Sequence, residues 1–69
     1  MKKFSEILVD LIQKRQINDL RVAKDLKLSS SRISDWRNGH RFPTVENLIK
    51  LADYFGVSTD YLLGRTDEP

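Results

Sequence analysis

Apolar residues fall at Phe4, Ile7, Leu8, Leu11 and Ile12, the i, i+3, i+4, i+7, i+8 spacing of one helical stripe. Polar residues fill the other side, and Lys14 and Arg15 put positive charge in the last turn, where the helix dipole favours it. A first helix is expected from Phe4 to about Gln16. A second is expected from about Asp19 to Leu26, with Asn18 as N-cap, Asp19 adding negative charge to the first turn, and Val22, Ala23 and Leu26 inward. Leu20 falls off that face. Lys27, Leu28 and Ser29 make a tight turn. A third helix follows over about Ser30 to Arg37, capped by Ser29 and stopped by Asn38-Gly39, which tolerate the left-handed conformation. Pro43 forbids helix just before it. The fourth helix spans about Val45 to Phe55, capped by Thr44. Its stripe is Val45, Leu48, Leu51 or Ala52, and Phe55, with Ile49 alongside and Gly56 as the stop. A fifth, short helix spans about Thr59 to Leu63 between Ser58 and Gly64. No strand pattern, repeat or low-complexity segment appears. The expected fold is all-α, five helices with short connections, in one domain over residues 1–64 with a polar tail over 65–69.

Length limits what such a chain can be. Sixty-nine residues make one domain with a small core, marginally stable unless packing is good or copies associate. There is no cysteine, hence no disulfide framework or thiolate metal site. No run of 18 apolar residues exists to span a membrane. Met1-Lys2-Lys3 is basic, but the segment after it carries Glu6, Asp10 and Gln13 and no small-residue cleavage site, unlike a signal peptide. A cytoplasmic setting is expected.

Charge adds an asymmetry. Residues 1–41 hold ten Lys/Arg against five Asp/Glu, net +5; residues 42–69 hold two against five, net −3, which together recover the +2 of the whole. A basic front and an acidic back suit a face that meets a polyanion.

The third helix carries the chemistry. Ile33 and Trp36, three apart, lie about 60° apart around the axis and define its buried side. That spacing makes Trp36 a core residue rather than a stacking one. Ser31, Ser34, Asp35 and Asn38 take the opposite side, Ser30 the exposed N-terminal end, and Arg32 and Arg37 one edge each. A helix that enters a DNA groove needs this order: short hydrogen-bonding groups toward the bases, long cations toward the phosphate walls. Arg32 is the best candidate to read guanine bidentately. Asp35 is repelled by phosphate, so it either accepts from a cytosine amino group or pairs with Arg32 one turn earlier; the pairing is favoured. Ala23 is small where two helices cross, and Leu26 and Leu28 bracket the turn.

These residues resemble a known family. Asn18 to Pro43 is similar to the helix-turn-helix of regulators of the phage lambda repressor and Cro type: Ala23, Leu26 and Leu28 about the turn, Ile33 and Trp36, then Asn38-Gly39-x-x-x-Pro43. Glu46 to Gly64, ENLIKLADYFGVSTDYLLG, looks like the family's last two helices, so the resemblance covers about residues 4–64. It implies a lambda repressor-like fold that binds duplex DNA sequence-specifically, as a homodimer on a two-fold operator, with the second motif helix in the major groove. Ser30, Ser31, Ser34 and Asp35 match base-facing positions, and Arg32 joins them in the base-reading set. Asn38 and the loop after it match phosphate-contacting positions; the expected backbone set is Asn18, Lys27, Arg37, Asn38, His40 and Arg41. Tyr61, Leu62 and Leu63 form the expected dimer seam. Two positions depart from the family: Asp19, where glutamine is common and its amide often contacts phosphate, and Lys27, where glycine is preferred. A left-handed turn at a non-glycine costs roughly 1 kcal/mol.

A different class of function remains open: a protein-binding module, antitoxin-like or adaptor, on the same fold. Asp19 and Asp35 on the DNA side and the apolar Tyr61-Leu62-Leu63 end favour it. Catalysis has little to work with. The chain has one histidine, no Gly-rich phosphate loop and no His/Asp/Glu set at metal spacing. No cofactor and no small-molecule ligand is expected.

Overall fold

The structure, a computed structural model, describes residues 2–69. It contains helices α1 (Phe4–Lys14), α2 (Asp19–Leu26), α3 (Ser30–Arg37), α4 (Val45–Phe55) and α5 (Thr59–Leu62), with no strand among the described residues. This is the expected five-helix, all-α fold.

The helix starts follow local chemistry. Asn18, Ser29, Thr44 and Ser58 each accept the backbone N–H three residues on with a side-chain oxygen, at 3.0–3.3 Å. At α1 the Glu6 carboxylate accepts the Lys3 backbone N–H at 3.2 Å. All five helices also end alike, by the paired backbone closure of a Schellman motif around a left-handed residue. Those residues are Gln16 (φ +57°), Lys27 (+59°), Gly39 (+77°), Gly56 (+68°) and Gly64 (+75°). Gln16 explains why α1 stops at Lys14 rather than near Gln16: its N–H bonds Gln13 and the Ile17 N–H reaches back to Ile12, which turns the chain. Two of the five positions are therefore strained, and Lys27 is the one anticipated.

The core is built from one stripe per helix. The largest fully enclosed side chains are Leu8, Val22, Ile33, Leu51 and Leu62, one from each helix. Around them pack Phe4, Ile7, Ile12, Ala23, Trp36, Leu48, Ala52 and Phe55. Burying this set supplies most of the folding free energy, at about 25 cal/mol per Å² of apolar surface. α3 lies against α2 and α1, and α5 joins α4 to α1.

Two expectations about apolar faces fail here. Leu62 has no exposed surface, so it cannot face a partner; Tyr61 and Leu63 are half-buried against the same core. A four-residue helix at the chain's end has only one inward register, and Leu62 fills it. Val45 was placed on the inward stripe of α4 but is 74% exposed, and Ile49 is 47% exposed. The buried stripe starts at Leu48, because the first turn of α4 overhangs the core.

Polar contacts tie the helices together at the side. The Tyr54 hydroxyl donates to Asp25 at 2.6 Å, and Asp25 also pairs with Arg21 at 3.0 Å. The Tyr54 hydroxyl and then Arg21 hold the Asp25 carboxyl below its ordinary value. Partial burial, followed by the Asp25 contact, raises the Tyr54 phenol. Arg15 lies 5.3 Å from the ring centroids of both Tyr54 and Phe55.

Candidate nucleic-acid interface

α2, the three-residue turn and α3 make one rigid unit. The Leu28 N–H reaches back to the Ala23 carbonyl at 2.9 Å, which sets the angle at which α3 leaves α2. Ala23 is 4% exposed and lets the helices approach. Ile33 and Trp36 anchor α3 from beneath, so its outer face is fixed by packing.

That outer face holds the expected base-reading set. Ser31 and Arg32 are exposed; Ser30, Ser34 and Asp35 are half-buried. The short side chains are ordered among themselves. Ser31 donates to Ser29 at 3.3 Å, and the Asn38 amide donates to Ser34 at 3.2 Å. Both bonds are exposed.

The charged groups are arranged differently from expectation. Asp35 does not pair with Arg32. Its carboxylate lies 3.6 Å from Arg41 Nε and 4.0 Å from His40 Nδ1. The cause is the closure of α3: the His40 and Arg41 N–H groups both bond the Asp35 carbonyl, at 2.9 and 3.3 Å, and fold the loop back over its side chain. Arg32 is left without an ion partner among the described residues. It stands in a shallow groove between α3 and α4, beside Thr44 and Asn47. Thr44 and Asn47 are not among the residues expected to contact DNA; the groove brings them beside Arg32.

Arg37 is also committed elsewhere. Its Nε lies 3.1 Å from each Asp19 carboxylate oxygen, and its Nη2 lies 3.1 Å from Oδ2. The pair bridges the start of α2 and the end of α3, so each charge also complements its own helix dipole. Arg37 is thus a clasp between the two motif helices and not a free phosphate cation. The same contact gives Asp19 a structural role at the start of α2.

The remaining backbone candidates are available. Asn18 caps α2 through Oδ1, and its NH₂ makes no hydrogen bond among the described residues. Lys27 is exposed at the left-handed turn without an ion partner among the described residues. His40 and Arg41 are exposed while flanking Asp35.

The chain is similar to known proteins in sequence and fold. The family model described as helix-turn-helix matches residues 10–62. The HTH-type transcriptional regulator ImmR of Bacillus subtilis is 33% identical over 55 residues, 80% of this chain and 43% of that protein. The cryptic phage CTXphi transcriptional repressor RstR of Vibrio cholerae is 37% identical over 60 residues, 81% of this chain and 54% of that protein. The chain therefore spans about half the length of these curated relatives. The crystal structure of the P22 c2 repressor in complex with a synthetic operator superposes with a TM-score of 0.88 at 27% identity, covering 96% of this chain and 100% of that one.

Proposed function

Because the chain belongs to the helix-turn-helix family, we propose that it binds duplex DNA sequence-specifically as a transcriptional repressor, placing α3 in the major groove. One observation carries the reading most directly: the outer face of α3 presents Ser30, Ser31, Ser34 and Arg32, which has no ion partner among the described residues, on a helix locked into the core. The superposition on a repressor solved with its operator supports it. Arg32 is the side chain to reach a guanine edge, with the serines reading more loosely. Asn18, Lys27, Asn38, His40 and Arg41 hold the phosphates. The role is binding rather than catalysis.

Size argues for a pair of copies. The molecule measures 28 Å along its longest axis, and successive major-groove faces on one side of DNA are about 34 Å apart. One copy reads one groove, and two side by side read a two-fold site. With Leu62 enclosed, the seam is better placed at Val45 and Ile49, which lie about 40° apart on one flank of α4. Packed antiparallel on its own copy, α4 sets Val45 against the partner's Ile49 and brings Glu46 near the partner's Lys50. These opposite charges already pair within one helix at 3.9 Å.

The protein-binding alternative loses support, since Asp19 is paired with Arg37 at 3.1 Å and Asp35 faces Arg41 at 3.6 Å. The test is fluorescence anisotropy on duplex DNA across salt. Affinity should fall steeply with salt, with a log–log slope of about −0.9 per phosphate contact. A flat salt dependence would refute DNA binding.

A further inference from the structure

We propose that Lys2 and Lys3 form a second phosphate grip with the loop after α3, extending the DNA contact beyond the helix-turn-helix; the inference rests on the duplex-binding reading above. A cleft of about 740 Å³ runs between the first turn of α1 and that loop, with Lys2, Lys3 and Ser5 on one wall and Asn38, His40 and Arg41 on the other. The second wall is the segment already assigned to phosphate. The first belongs to neither motif helix.

The charge of this first wall is uncompensated. Lys2 and Lys3 are exposed and make no ion pair among the described residues. Glu6, the nearest acid in sequence, takes the Lys3 backbone N–H with its carboxylate. Asp67 shares a separate groove with Lys2 and makes no ion pair with it. On the opposite wall, Arg41 already faces Asp35 at 3.6 Å. The two lysines are therefore the cations of this cleft with no acid to compete for them.

Their position is also set by the fold. Gly64, at φ +75°, packs so closely that an added Cβ would overlap the Lys2 carbonyl oxygen. Lys3 is the N-cap residue of α1. Phe4 packs against Phe42 across the cleft, ring centroids 4.9 Å apart and planes tilted by 51°, and Gly39 brings the loop turn against Ser5. The lysine backbones thus stand at a fixed distance from the phosphate-binding loop, and only side-chain freedom is lost on binding. The cleft is basic, open and continuous with the C-terminal end of α3. Its occupant is a phosphodiester of the strand bordering that end.

The test is a salt titration of the wild type and the Lys2→Gln/Lys3→Gln double variant on the preferred duplex and on a random one. The variant should lower the log–log salt slope by roughly 1–2, with affinity lost equally on both duplexes and site preference unchanged. The Lys2→Arg/Lys3→Arg variant should keep the full slope. An unchanged slope in the glutamine variant overturns the grip, and so does an equal loss in the arginine variant, which would mark a packing role. Wild type without any duplex affinity overturns the duplex reading itself.

Discussion

Breaking the Asp19–Arg37 clasp should destabilise the fold while strengthening DNA binding, an opposition that follows from where the pair sits. Three N···O contacts of 3.1 Å hold side chains that are 35% and 22% exposed. Unit charges about 4 Å apart at an effective dielectric of 20 attract by about 4 kcal/mol. Desolvation and the immobilised arginine, which carries about 2 kcal/mol of rotamer entropy, offset part of this. A coupling of about 1 kcal/mol remains, at the upper end for a pair with this much water access. Asp19→Asn, Arg37→Gln and the double variant, unfolded in urea, give that coupling as the non-additive part of the cycle. One kcal/mol corresponds to roughly 4–8 °C in Tm for a domain of this size. Asp19→Asn also removes a negative charge beside the proposed phosphate path and releases Arg37. Its duplex affinity should rise, and its salt slope should steepen by up to about 0.9. A coupling below about 0.3 kcal/mol, or affinity falling together with stability, would refute this account of Asp19.

Three further outcomes are expected. Arg32→Ala should cost roughly 1–3 kcal/mol of specific binding and relax preference at one base pair, read by competition between operator variants; unchanged affinity and preference would remove Arg32 from the bases. Lys27→Gly should stabilise the protein by roughly 1 kcal/mol, because Lys27 sits at φ +59°, while lowering the salt slope; stability and DNA contact then move in opposite directions. Tyr54→Phe should destabilise the protein at neutral pH. Asp25 is held below its ordinary value, so its contribution is present above about pH 4 and fades as pH falls through the folded value. The Tm gap between wild type and Tyr54→Phe should therefore narrow in acid, and a pH-independent gap would contradict the contact.

The helices and the buried side of α3 were legible because they depend on short-range rules: 3.6-residue periodicity, caps three residues ahead of a hydrogen-bonded N–H, and Gly or Asn at the stops. The ion pairs were not. Asp19 and Arg37 are 18 residues apart and meet only once α2 and α3 pack. Asp35 had a plausible partner one turn away in Arg32, but the backbone closure of α3 brought Arg41 to it instead. Tyr54 and Asp25 are 29 residues apart. The apolar end at Tyr61-Leu62-Leu63 read as a seam because its sequence does not say which side the short last helix turns inward. Val45 matched the α4 stripe in spacing and failed because periodicity does not tell where the core beneath a helix begins. The cleft at Lys2 and Lys3 had no sequence signal beyond a basic start.

The most direct test is selection by the purified protein from a randomised duplex library at about 150 mM salt. The expected product is an enriched two-fold-symmetric site with half-sites about 10–10.5 base pairs apart, centre to centre. Ser30, Ser31, Arg32 and Ser34 would then determine the bases in each half. No enrichment from a folded sample would contradict sequence-specific DNA recognition by α3.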